Sequence, residues 1–172
     1  MSGGPLPQYV EPFRLCDANA HLAGTVPAQR LQRIREFSVG QTADLSVDLR
    51  FRRDAEGRNR LDGSFDTVIS TRCERCLEEL SLPLHGEFAL LLVSAGSDVP
   101  ETSEDVDILE IEDERLVLAT LLEEEVMLAV PDYPVHGHCE MVRYDRDAGA
   151  STVQPAEKAN PFDALAALKK KD

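Results

Sequence analysis

The 172-residue sequence predicts an α+β protein: an antiparallel β-sheet of about three to five strands with helices on one face, plus a flexible C-terminal tail ending in a short helix. Three patterns carry this expectation. Ala43, Leu45, Val47, Leu49 and Phe51 alternate with polar residues, the period of a half-buried strand. Leu80, Leu82, Leu84, Phe88, Leu90 and Leu92 share one parity over a longer run. Between residues 113 and 130 the apolar spacing changes to that of a helix.

In chain order, Pro27 followed by Leu31 and Ile34 suggests a short helix over residues 27–35. The strand at 43–51 leads into turn chemistry at Asp54–Gly57. Residues 61–70 then return as its antiparallel partner, with Phe65 and Ile69 on one face. In the third strand Gly86 reads as a bulge or bend. Residues 94–107 are polar and turn-rich and are expected to form a mobile acidic loop, and Ile108–Ile111 a short edge strand.

The helix expected next carries Leu118, Leu121, Leu122, Val126, Leu128 and Ala129 on one side, opposite Thr120, Glu123 and Glu124, and stops at Pro131. Glu125 breaks the pattern, because at 100° per residue it falls between Leu121 and Leu118. A buried carboxylate needs a counter-charge. Arg72 or Arg75 is the expected partner in a structural ion pair; a functional acid and a merely solvated helix edge are the alternatives.

The domain organisation follows. Residues 1–144 form one globular domain, 145–159 a flexible linker without a core-forming run, and 160–172 an amphipathic tail helix. That helix has Asn160 as N-cap, Pro161 at its first position and lysines in its last turn. At about three turns it is too short to be stable alone. The stripe of Phe162, Leu165 and Leu168 must therefore bury itself, either against its own domain or as a partner-binding element.

The net charge is −14, and its distribution restricts function. Residues 28–80 balance ten arginines with ten acids, whereas residues 81–135 hold one arginine, Arg115, against fourteen acids. Affinity for nucleic acid comes largely from cations on phosphates, so direct contact of this segment with RNA is disfavoured. Arg50, Arg52, Arg53, Arg58 and Arg60 flank one turn, but Asp54, Glu56 and Asp62 interleave with them, as in a solvated hairpin tip. The longest apolar run, Phe88–Val93, is far short of the ~20 residues of a membrane span. No basic stretch precedes an apolar one at the N-terminus, so a cytoplasmic location without membrane association is expected.

The chemistry concentrates in two clusters. Cys73-x-x-Cys76 presents two thiols at metal-ligand spacing, and His136-x-x-Cys139 repeats that spacing some sixty residues later. Together they supply the four soft ligands of a structural zinc ion, with His138 as an alternative ligand. His138 is adjacent to Cys139, so in an extended segment the two side chains diverge. An apo version of the same site and a redox switch with Cys73 and Cys76 as the active dithiol are the competing readings. A redox dithiol should open a helix, whereas Leu77–Leu84 reads as strand. A zinc hydrolase would have only His138 with Glu140 as its base. No catalytic serine triad, phosphate-cradling glycine loop or paired-acid motif is present.

The C-E-R-C-L knuckle at 73–77, the helix ending at Pro131, the segment Pro134-Val135-His136 with His138-Cys139, and the N-P-F-x-A-L-x-x-L-K terminus occur in that order. In this combination the chain resembles the bacterial YceD family of large-ribosomal-subunit rRNA accumulation proteins. The resemblance implies a cytoplasmic, non-enzymatic factor needed for synthesis, processing or stability of 23S rRNA, related to plastid proteins with a similar role. Some members have a fuller cysteine-rich second half, where this chain has only His136, His138 and Cys139. No catalytic residue is carried over. With the acidic charge, the expected partners are a ribosomal protein or a large-subunit assembly or processing factor.

Overall fold

Alternating apolar and polar residues build the sheet against which the helices pack. The computed structural model describes residues 4–97 and 106–142. The chain divides into two units, residues 1–141 and 142–172, and the architecture given below is that of the first. The linker at 145–159, the helix at 160–172 with its partner-binding residues, and positions 98–105 of the acidic loop lie outside the described residues.

The elements run β1 (Tyr9–Val10), α1 (Pro12–Asp17), β2 (His21–Val26), a 3-10 turn (Ala28–Arg30), α2 (Gln32–Phe37), β3 (Leu45–Arg53), β4 (Asn59–Arg72), β5 (Glu79–Ser94), β6 (Asp107–Ile111), β7 (Leu116–Val117) and α3 (Leu118–Ala129). Five strands form one sheet in the order β2-β3-β4-β5-β6, and β1 pairs with β7 in a separate ribbon. The α+β expectation holds, with one addition: β6 joins β5 in parallel. Residues 95–106 between them supply the length that a parallel crossover needs.

The β3–β4 hairpin turns on Asp54, whose carboxylate accepts the backbone N–H groups of Glu56 and Arg58 at 3.0 and 2.8 Å, with Gly57 at φ 77°. From Asn59 opposite Leu92 to Arg72 opposite Glu79, β4 and β5 stay in one unbroken register. Gly86 is therefore not the expected bulge. It sits opposite Phe65, and a Cβ there would lie 2.5 Å from that ring; Gly63 makes the same room for Phe88. Each glycine leaves the space that an aromatic ring across the strand fills.

One face of the sheet is the core. Leu45, Val47, Leu49 and Phe51 of β3, Leu61, Phe65 and Ile69 of β4, and Leu84, Leu90 and Leu92 of β5 join Cys16 of α1, Ile34 of α2 and Leu118, Leu121, Leu122 and Val126 of α3 in a single buried cluster. At roughly 25 cal/mol per Å² of apolar surface removed from water, this cluster is the main source of stability. Among the described residues no helix is long and apolar enough to cross a membrane.

α3 is shorter than the pattern predicts, and its acids are placed differently. Glu123, expected on the polar side, is 6% exposed, and its carboxylate accepts the backbone N–H of Arg33 at 2.7 Å and, marginally, that of Ile34 at 3.5 Å. It thereby satisfies donors at the N-terminus of α2, which has no side-chain cap of its own. Glu125 is only half-buried and pairs with neither Arg72 nor Arg75; the charges that act on it are Asp107 and Glu124. The cause lies along the helix. Leu121 is buried but Leu128, seven residues on and close to the same face, is 80% exposed, so the helix leaves the core on this side and Glu125 lies where burial fades.

Candidate metal centre

The end of β4 and the segment after α3 meet at one place. β4 delivers Cys73 just beyond its last residue, and the chain turns back through Cys76 into β5. The turn is closed by Leu77 N–H donating to the Cys73 carbonyl at 2.8 Å and Cys73 N–H donating to the Glu78 carbonyl at 2.9 Å. Leu77 takes φ 63°, a left-handed conformation that costs a residue with a Cβ about 1–2 kcal/mol. Pro131 follows the helix, and the extended segment beyond it docks on this turn: Glu74 N–H donates to the Pro134 carbonyl at 2.9 Å, and the Tyr133 hydroxyl donates to the Glu74 carbonyl at 3.3 Å.

The docking brings Cys73, Cys76, His136 and Cys139 together, with their ligand atoms all within 4.8 Å of one another. Cys73 Sγ lies 3.7 Å from Cys139 Sγ, and Cys76 Sγ lies 3.3 Å from His136 Nδ1. Zinc bonds of about 2.3 Å to sulfur and about 2.0–2.1 Å to nitrogen, at tetrahedral angles, put two sulfurs roughly 3.8 Å and sulfur and nitrogen roughly 3.6 Å apart. The donor set and its spacing therefore fit a tetrahedral metal. All the cysteines are free, and a disulfide would need its sulfurs at about 2.05 Å. His138 is exposed and stands outside the cluster, as does Glu140.

The surroundings orient the ligands. The Glu79 carbonyl, 3.1 Å from His136 Nε2, can only accept, so Nε2 carries the ring proton and Nδ1 keeps its lone pair toward the thiols. Burial pushes the Cys73 thiol up, but the backbone N–H groups of Cys76, His136 and Arg75, together with the Cys76 side chain, outweigh it and bring Cys73 down to about 5. Cys139 is pushed up by burial and by the two other sulfurs. The guanidinium of Arg75 is 3.4 Å from the Cys139 carbonyl, so this arginine buttresses the ligand loop, while Arg72 is exposed. The sequence singled out the four ligands; it could not show the Glu79 carbonyl, because a backbone group has no residue signature.

A four-ligand Cys3His knuckle joining the end of a long β-hairpin to a post-helical segment defines a small α+β protein with a closed, structural type of candidate metal centre. The chain belongs to the YceD family, described as large ribosomal RNA subunit accumulation protein YceD, whose profile matches residues 61–169. It is 30% identical over 171 residues to the large ribosomal RNA subunit accumulation protein YceD of Haemophilus influenzae, covering 96% of this chain and 97% of that protein. No solved structure matches it.

Proposed function

We propose that this protein is a non-enzymatic factor required for accumulation of the large-subunit 23S rRNA, that it works mainly through protein partners, and that one structural zinc ion holds its knuckle. The observation that supports the first part is the likeness, over nearly the whole of both chains, to a protein named for that role. Support for protein rather than RNA contact comes from the arginine hairpin. Arg50 pairs with Asp48, Arg52 and Arg60 both with Asp62, Arg53 with Asp17, and Arg58 with Asp54 and Glu56. Cations engaged by carboxylates on their own surface release few counterions on meeting phosphate.

The zinc would be bound by Cys73, Cys76, His136 and Cys139, and it would supply a cross-link rather than a reactive centre, since four protein ligands complete its usual coordination. Stoichiometric zinc in freshly purified protein supports this; its absence favours an apo version of the site or the dithiol reading of Cys73 and Cys76.

The functional test is made in cells. Removal of the protein should lower mature 23S relative to 16S rRNA, and the full chain should restore it. A chain lacking residues 160–172, with Asn160, Pro161, Phe162, Leu165 and Leu168, should keep its thermal stability but lose both partner capture and rescue. Unchanged 23S rRNA on removal sinks the role. Tight, salt-sensitive binding of purified protein to 23S fragments sinks the partner-mediated mechanism, and unfolding on tail deletion sinks the docking role of the tail.

A further inference from the structure

We propose that the groove beside the outer edge of β2 binds an extended segment of a partner protein in which a carboxylate side chain adjoins a bulky apolar one. This goes beyond the ribosomal reading and does not depend on it. The groove has a volume of about 550 Å³ and lies where α1, β1 and β2 converge. Its floor is apolar because the core is incompletely closed here. Leu15 of α1 and Leu22 of β2 pack against the buried cluster yet remain only partly covered, and Tyr9 is 51% exposed.

Two further features define the occupant. The first is an open backbone. β2 is an edge strand, and the backbone of residues 4–6 hydrogen-bonds to its outer side at Thr25, whose N–H donates to the Gly4 carbonyl and whose carbonyl accepts from Leu6 N–H. Residues two apart in a strand point the same way, so Ala23 also turns its N–H and C=O outward, and among the described residues nothing pairs with them there. Such an edge takes an added strand through main-chain hydrogen bonds.

The second feature is charge. Arg14 and Arg115 line the groove with a single carboxylate, Glu11, which is 2.7 Å from Arg14 and is drawn down by both guanidiniums. Glu114 is near enough to act on Arg14 but does not line the groove. Arg115, the one cation of residues 81–135, makes no ion pair among the described residues. An incoming carboxylate therefore has a guanidinium to meet, and an adjoining large side chain has Leu15, Leu22 and Tyr9 to cover.

The protein contains no tryptophan, so a tryptophan-bearing peptide reports its own binding. The probe is acetyl-Thr-Glu-Trp-Glu-Val-amide, titrated into the full chain, with a peptide carrying lysine for both glutamates as control. A saturable blue shift of the indole emission is expected, together with protection of the Ala23 amide from exchange and shifted resonances for Leu15 and Leu22. Arg115→Glu should weaken binding about tenfold, as loss of an interfacial charge partner does, and Arg35→Glu on α2 should not. Because both arginines are exposed, circular dichroism should confirm that the variants fold, and the amide protection is read on the unaltered chain. No saturable shift at millimolar peptide, equal binding of the lysine peptide, resonances that move elsewhere, or pairing of two copies through β2 would each overturn the proposal.

Discussion

His136 donates its Nε2–H to the Glu79 carbonyl at 3.1 Å and so points Nδ1 at Cys76 Sγ, 3.3 Å away. A backbone carbonyl at the start of β5 thus sets the tautomer of a residue 57 positions later. His136→Ala removes one of the four candidate ligands and is expected to weaken zinc binding by at least ~10–100-fold, the loss that even a second-shell change brings. His136→Cys, which keeps a soft ligand, should recover much of it. Competition with a chromogenic chelator measures both; equal affinity in all three proteins would remove His136 from the site.

Metal binding here should depend on pH through Cys139. Its thiol is pushed up by burial and by Cys73 and Cys76, so at neutral pH it holds a proton that an incoming zinc would have to displace, whereas Cys73, near 5, is already a thiolate. Apparent affinity should rise with pH until Cys139 ionises. Calorimetry in two buffers of different ionisation enthalpy reads the released protons directly, and release that does not change between neutral and alkaline pH contradicts the assignment.

The two acids of α3 should behave in opposite ways. Glu123→Ala leaves the N–H of Arg33 without its acceptor and is expected to cost about 1–3 kcal/mol, the range for a hydrogen bond made to a charged group, measured by denaturant unfolding. Glu125→Gln should be neutral or stabilising at neutral pH. Burial, Asp107 and Glu124 raise the Glu125 carboxyl above 4.5 in the fold. A carboxyl raised on folding contributes stability that is fully present below its unfolded value and is lost as pH rises through the folded one. The glutamine variant should therefore lose less stability than the parent as pH climbs from 4.5, and an identical pH profile would refute this.

That reversal shows where sequence reasoning reached its limit. β3, β4 and β5 were legible because each sends one parity of side chains into the core cluster, and the four candidate ligands because their spacing repeats. The periodicity of α3 was legible too, but Leu128 drew the inferred apolar face toward solvent and so placed Glu125, not Glu123, in the core. Hydrophobic pattern cannot say where a helix parts from its sheet. α1 and β2 gave no such signal: α1 has six residues, and β2, His-Leu-Ala-Gly-Thr-Val, contains a glycine where an alternating strand would carry a side chain. Gly24 is required there because residues 4–6 cross so closely that a Cβ would lie 2.4 Å from the Gly4 carbonyl oxygen, a tertiary fact with no local trace.

The reciprocal glycine–phenylalanine pairs of β4 and β5 give the last prediction. An alanine at Gly86 would bring its Cβ within 2.5 Å of the Phe65 ring, and one at Gly63 within 2.2 Å of the Phe88 ring. By distance alone Gly63→Ala should be worse. Phe65, however, is 2% exposed and belongs to the core cluster, whereas Phe88 packs against that cluster only half-buried and so has more room to yield. Overpacking costs ~1–3 kcal/mol when the neighbours cannot yield. Gly86→Ala should therefore fall near the top of that range and Gly63→Ala near or below the bottom. Urea unfolding of the two variants decides between room to move and initial distance, and the reverse order would show that the Phe88 ring is as tightly held as Phe65.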